Sequence, residues 1–277
     1  MKEAAAQNRR DFTRQIAALI AGATLRGRAA FAATSSARKL KFGHTGITWG
    51  NDTDQAVADI SSLGYRGFET FGNVIEAREA SGGIGKLLEQ YRLPLISAYC
   101  SFNLTDPTKR KDEMDKMARW GGLLKKYGGH VCVLGPNGVP RASYDFKASQ
   151  ASIVSMLNDT SKMLVDMGLT PALHQHTGTC IETRDEVYAV LNAVDTRYVK
   201  FGPDVGQLAK GGSDPVQVVK DFLPLIRHMH LKDYNGGEYY LGYCPLGQGK
   251  VNIPAILDML ENGNTNLTVM VELDPSP

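Results

Sequence analysis

Residues 170–204 read TPALHQHTGTCIETRDEVYAVLNAVDTRYVKFGPD, and this stretch carries one whole strand–helix–strand unit. It opens on a short apolar run, Thr170–His174, that ends on polar residues. Thr183 follows, with Glu186 three positions on. That spacing is a capping box, in which the threonine oxygen and the glutamate carboxylate accept reciprocally from the first free amides of a helix. A helix is therefore expected over Thr183–Val194. A second apolar run, Tyr198–Asp204, again ends on a polar residue. Strand, helix and strand in that order imply parallel strands joined by a crossover.

The same alternation extends in both directions. Apolar runs fall at Leu40–Thr48, Gly67–Phe71, Leu95–Ser101, His130–Leu134, Thr170–His174, Tyr198–Asp204, His228–Lys232 and Leu267–Leu273. Between them, amphipathic stretches of helical length run Asp54–Leu63, Asn73–Tyr91, Thr108–Tyr127, Lys147–Met167, Thr183–Val194, Pro215–Ile226 and Ile253–Glu261. Ser213-Asp214-Pro215 places a capping residue before a proline of the first turn. Eight strands with seven helices between them predict an α/β fold, a closed (β/α)8 or TIM barrel; an open doubly wound sheet is the alternative. No G-x-G-x-x-G follows the first strand, which excludes the simplest dinucleotide site. Four residues follow Leu273, so the last helix of an ideal barrel is expected to be missing. Another element, or a second subunit in a homo-oligomer, would cover that gap.

The 277 residues suit one such domain, since barrels of roughly 250 residues are common. Hydrophobic residues make up 43%, enough for a large core, and the net charge of +2 comes with no clustered basic face, so no nucleic-acid partner is expected. Cys100, Cys132, Cys180 and Cys244 form no C-x-x-C pair and read as small buried apolar residues. The first 32 residues differ from the rest. Arg9-Arg10 precede Phe12, an apolar stretch runs from Ile16 to Leu25, and Ala30-Phe31-Ala32 offers a cleavage site. Charged, apolar and small-residue regions in this order predict a twin-arginine export signal over residues 1–32, a barrel over 33–277 and a periplasmic location. The apolar stretch is too short for a permanent membrane anchor. Arg26 and Arg28 interrupt the pattern, and the alternative is an amphipathic helix kept in the mature chain.

A barrel does its chemistry at the C-terminal ends of its strands, and the unusual polar residues lie there. Glu69 comes late in strand two. His174 and His176 close strand five, with Glu182 in the next loop. Asp204 ends strand six; His228, His230 and Asp233 lie in or just past strand seven; Glu272 ends strand eight. Strand residues two apart face the same side, so the two histidine pairs each point one way. Imidazoles beside carboxylates from neighbouring strands make a mixed nitrogen and oxygen set that suits Mn²⁺, Co²⁺, Fe²⁺ or Zn²⁺. Taken singly, each residue also has an ordinary reading: Glu69 paired with a basic residue, Asp233 capping a turn before Asn235-Gly236-Gly237.

The motifs resemble the xylose isomerase-like barrels, the group that contains sugar phosphate isomerases and epimerases, inosose dehydratases and endonuclease-four-type DNA repair enzymes. The likeness spans nearly all of residues 40–274. It rests on the stretches Gly46–Asp52, Gly67-Phe68-Glu69, His174–Thr179, Asp204-Val205-Gly206-Gln207, His228–Asp233, Leu246–Gly249 and Val271-Glu272. The Trp49-Gly50-Asn51-Asp52 and His174–Thr179 stretches look most like the inosose dehydratase branch. The resemblance implies a divalent metal held by one residue from each of strands five to eight. These fall on His174, where relatives usually have Glu, and on Asp204, His230 and Glu272. A second departure is Gln207, where relatives often have His.

The implied chemistry is proton abstraction beside a carbonyl, leading to isomerisation, epimerisation or dehydration of a small-molecule keto-sugar or keto-cyclitol through an enediolate. A lyase or hydrolase acting on an oxidised 3-keto-glycoside fits the same residues. Glu182, His176 and Lys232 are the candidate acids and bases. Trp49 and Tyr99 are candidates to stack on the substrate, and Glu69, Gln207, His228 and Asp233 to bind it. The Gly-rich segment Gly236–Gly249 is a candidate lid, and no phosphate cradle is evident. Two other classes remain: a DNA repair enzyme, which needs further ligands that Gln207 does not supply, and a sugar-binding barrel without catalysis.

Overall fold

The computed structural model describes residues 39–263 and 265–275; the expected export segment over residues 1–32 lies outside the described residues. Each apolar run contributes a strand: β1 (Lys41–Thr45), β2 (Phe68–Phe71), β3 (Leu95–Phe102), β4 (Val131–Pro136), β5 (Thr170–Leu173), β6 (Lys200–Phe201) and β7 (His230–Leu231). A short hairpin of β8 (Asp233–Tyr234) and β9 (Tyr243–Cys244) intervenes before β10 (Thr268–Val271). The eight-stranded sheet runs β6-β5-β4-β3-β2-β1-β10-β7, and its pairings are parallel. Parallel bridges Phe201–Ile226 and Asp204–His230 join its two ends. There the Arg227 amide donates to the Phe201 carbonyl at 3.0 Å and the His230 amide to the Pro203 carbonyl at 2.9 Å. The sheet closes on itself, a barrel rather than an open sheet.

The helices pack around it: α1 (Thr53–Ser62), α2 (Gly72–Glu79), α3 (Gly85–Tyr91), α4 (Arg110–Lys126), α5 (Phe146–Asp166), α6 (Arg184–Leu191), α7 (Val205–Lys210), α8 (Pro215–Phe222) and α9 (Ile253–Asn262). The Thr183–Glu186 capping box forms at the start of α6, and Asp214 caps α8 ahead of Pro215. Two local expectations need correction. The single helix expected over Asn73–Tyr91 is α2 and α3, parted where Gly82 (φ 97°) and Gly83 (φ 82°) take a backbone that other residues rarely adopt. The expected Gly236–Gly249 loop is partly the β8–β9 hairpin. One helix was not expected: α7 starts directly after β6 because Asp204 accepts from the Gln207 amide and caps it. Among the described residues no helix follows β10, and none is long and apolar enough to cross a membrane.

Alternation along the strands sorts the core into two parts. Phe68, Ala98, Cys100, Cys132, Leu134 and Leu173 face the helices and join the main apolar cluster. Val131, Val133 and Ala172, with Tyr99 against them, form a separate small cluster on the inward face. The inward positions nearest the strand ends are polar. All four cysteines are buried and unpaired.

Candidate active site

The strand period brings the polar residues together. Positions 228, 230 and 232 share one face of β7 and its flanks, as do 272 and 274 after β10, and 97 and 99 on β3. His230 is the hub. Its Nε2 lies 2.7 Å from Glu69 Oε1, and its Nδ1 lies 3.0 Å from Glu272 Oε2. Glu69 also accepts from the Ser97 hydroxyl at 2.5 Å and lies 3.0 Å from His228 Nε2. Lys232 Nζ sits among three carboxylates: Glu272 at 2.5 Å, Asp274 at 2.9 Å and Asp204 at 3.0 Å. The lysine reaches them because Gly206 leaves room; a Cβ there would meet Lys232 Cγ at 2.8 Å.

Several hydrogen positions follow from partners that can only accept. His174 Nδ1 faces the Gly202 carbonyl at 3.1 Å, so it carries the proton and leaves Nε2 bare. His176 Nδ1 likewise faces the Thr177 carbonyl at 2.8 Å. Gln207 Oε1 accepts from the Thr177 amide at 3.1 Å, which turns the Gln207 amide nitrogen to His176 Nε2 at 2.7 Å. The bare nitrogen of His176 therefore accepts from Gln207.

Burial and charge pull against each other throughout. Burial opposes ionisation of Glu69, but His230 and His228 outweigh it and hold the carboxyl well below the usual range. Burial also opposes a charged Glu272, yet His230 and Lys232 keep it ionised. His230 is held well above the ordinary imidazole value by Glu272 and Glu69 despite burial, and Lys232 is raised by Asp204, Glu272 and Asp274 against the same penalty. For Asp204 burial wins over the attraction of Lys232, and the carboxyl is raised. His174 is pushed well down by burial and then by His230 and His176, so it is neutral.

These residues fit a divalent cation. Donor atoms of His174, Asp204 and His230 lie within 4.8 Å of one another, all buried, and Glu69, His228 and His230 form a second such group. Asp204 Oδ2 and His230 Nδ1 are buried without a well-formed hydrogen bond. Four buried carboxylates (Glu69, Asp204, Glu272, Asp274) face one buried lysine. With all four ionised the formal excess is three negative charges, or two with His230 protonated, and the raised Asp204 carboxyl is one response to it. Buried charge in that excess is costly unless compensated.

Above this layer lies a small cleft that opens to solvent. Thr45, Gly46, Ile47, Glu69, Thr70, Phe71, Tyr99, His174, His176, Glu272 and Asp274 line it. Gly135 gives Tyr99 its place, since a Cβ there would collide with the ring. Asp204, His228, His230 and Lys232 lie beneath the cleft and Gln207 behind His176. Three residues singled out from the sequence stand outside it. Trp49 stacks edge-on against His44 and donates to Asp59 at 2.9 Å. Glu182 accepts from the Gly178 amide at 2.5 Å and pairs with Arg141 at 3.3 Å. The Asp233 carboxylate accepts from the amides of Tyr234, Gly247, Gly249 and Val251, which pins the loop beyond the hairpin. Asp274 and Ser97 were not anticipated. Asp274 stands two residues after Glu272, a spacing that could have marked it; nothing local marks Ser97.

The chain resembles known proteins over most of its length. It is 25% identical over 276 residues to the inosose dehydratase of Clostridium botulinum (strain Alaska E43 / Type E3), covering 86% of this chain and 91% of that one. Among solved structures, the IolI protein with a bound zinc atom superposes with a TM-score of 0.70 at 18% identity, over 85% of this chain and 90% of that one. The apo 3-keto-D-glucoside 4-epimerase of E. coli gives 0.66 at 17% identity, over 86% and 93%. The profile of the xylose isomerase-like TIM barrel family matches residues 57–277, and with the closed parallel ring it places this chain in that family.

Proposed function

We propose that the protein is a divalent-metal-dependent isomerase, epimerase or dehydratase of an uncharged keto-sugar or keto-cyclitol. The observation that carries this reading is the convergence of His174, Asp204 and His230 at the floor of the cleft. The inosose dehydratase relatives support the keto-cyclitol class. Among the described residues no lysine or arginine lines the cleft, which favours a substrate without phosphate. His174, Asp204, His230 and Glu272 would hold the cation, whose Lewis acidity stabilises negative charge developing on a substrate oxygen.

Of the three candidate acids and bases, His176 alone lines the cleft. It takes a proton at Nε2 from the carbon beside the substrate carbonyl, exchanging its Gln207 contact for the substrate. Thr177 holds the ring through Nδ1. Return of the proton by His176 to the neighbouring carbon gives isomerisation; return to the opposite face of the same carbon, which gives epimerisation, requires a second acid or a turn of the enediolate within the cleft. Loss of a β-hydroxyl as water gives dehydration. Lys232 is fully buried and Glu182 is tied to Arg141, so neither is assigned the proton. Loss of a glycosidic oxygen from the same β-position is the second reading.

The test is to incubate purified protein with keto-inositols, ketoses and 3-keto-glycosides in D₂O, before and after chelation and Mn²⁺ or Co²⁺ return. Deuterium should enter the substrate only with metal present. Exchange or turnover in a rigorously metal-free sample would sink the metal-dependent reading. We also propose export by the twin-arginine route, supported by Arg9, Arg10, Phe12 and the Ala30-Phe31-Ala32 site. Replacing both arginines by lysine should leave the precursor in the cytoplasm; normal periplasmic delivery of that variant would refute the route.

A further inference from the structure

Glu69 lies on β2, three strands round the ring from β7, yet its carboxylate is the best-made partner of the His230 imidazole. Both of its oxygens are engaged. Oε1 faces His230 Nε2 at 2.7 Å, and Oε2 takes the Ser97 hydroxyl at 2.5 Å with His228 Nε2 3.0 Å away. An ionised carboxylate can only accept, so without a cation both His230 nitrogens carry hydrogen; a cation would displace the proton of Nδ1, whose contact with Glu272 is the longer, and leave Nε2–H with Glu69. Nδ1 is the atom that faces Glu272 without a formed hydrogen bond. His174 is set by other means: its Nδ1–H goes to the Gly202 carbonyl, leaving Nε2. Two histidines of one site are thus oriented by unlike acceptors, a backbone carbonyl and a buried carboxylate. The carboxylate also makes its imidazole the stronger donor to a metal.

We propose that Glu69, held by Ser97 and His228, is a positioning residue that fixes the ring and tautomer of His230 for a divalent cation. This rests on the cation reading of the site given above. Orientation by an outer partner of this kind is worth about 10–100-fold in metal affinity.

The experiment is titration of the full chain with Co²⁺, following its visible absorption and its stoichiometry by equilibrium dialysis. Wild type should take one equivalent. Glu69→Ala should still take one, about 10–100-fold more weakly. Glu69→Gln keeps an acceptor oxygen at the same reach and should recover most of the loss. The exchangeable imidazole N–H resonance of the Co²⁺-loaded protein should persist in wild type and Glu69→Gln and exchange away in Glu69→Ala, a change that a merely structural role would not produce. Should Glu69→Ala fail to fold, Ser97→Ala releases one carboxylate oxygen and should weaken binding in the same direction by less. Equal affinity and an unchanged resonance in the Glu69 variants would overturn the proposal and leave the cation reading standing. Uptake of two equivalents by wild type and one by Glu69→Ala would make Glu69 a ligand and overturn it as well. If wild type takes up no Co²⁺, both fall together.

Discussion

The two sides of the barrel mouth are built differently. Strands β1 to β4 run to as many as eight residues, in β3, and β1 to β3 line the cleft with Thr45, Thr70, Phe71 and Tyr99, with Glu69 the one charged residue they bring to it. On the other side β6 and β7 are two residues each and end among Asp204, His230, Lys232, Glu272 and Asp274. The first side is a wall held by backbone ladders and apolar packing. On the second the ladder stops early, and side chains take over: Gln175 donates to the Asp204 carbonyl at 2.8 Å, and Lys232 ties three strand ends together. Backbone ladders hold one side and charged side-chain contacts the other, so perturbing each should have separable effects.

The largest separation is expected at His176. His176→Ala removes the proposed proton acceptor and should lower turnover by about 10²–10⁴-fold, while metal content and the unfolding midpoint stay near wild type. Turnover within a few-fold of wild type would transfer the acceptor role elsewhere. Lys232→Met should act on stability instead. It leaves Asp204, Glu272 and Asp274 buried without their cation and should cost about 3–5 kcal/mol, read by urea unfolding. Added Mn²⁺ should return part of that loss, because a bound ion stabilises the folded state. A neutral effect would show that the charged side does not depend on its lysine.

Gly135→Ala probes the wall. The new methyl collides with the Tyr99 ring and should cost about 1–3 kcal/mol through overpacking. KM should rise as Tyr99 shifts in the cleft, with metal affinity unchanged; loss of metal would mean that the two sides are coupled. The smallest effect belongs to the rim, where Arg141 pairs with Glu186 at 2.9 Å. Burial opposes ionisation of Glu186, but Arg141 and the Thr183 and Glu182 amides hold its pKa below the usual value. A lowered carboxyl contributes stability that is present above the unfolded pKa, about 4.3, and is lost as pH falls through the folded value. Arg141→Met should therefore remove about 1 kcal/mol or less at pH 7. It should also flatten the fall in stability below pH 4.5 or so. An unchanged acid limb would remove the pair from the account.

The wall and the strand positions were legible because buried parallel strands are local: a run such as Leu95–Ser101 announces itself by composition, and the Thr183–Glu186 box by spacing. The positions of His174, Asp204, His230 and Glu272 at successive strand ends were legible for the same reason. The break between α2 and α3 was written in Gly82-Gly83 but lay inside an otherwise helical pattern. The helix α7 was hidden because Asp204 reads as a strand end and acts also as a cap.

What the sequence by itself determined is the order of strands and helices, hence a parallel ring with its polar residues at one mouth, because period and capping depend only on neighbours along the chain. Which of those residues meet was decided by closure of the ring. Closure sets Glu69 against His230 across 161 residues of chain and Lys232 against Asp274 across 42. It also leaves Trp49, Glu182 and Asp233 bound to partners outside the cleft. A side chain's partner across a barrel depends on strand stagger and burial, and neither is encoded in the residues beside it.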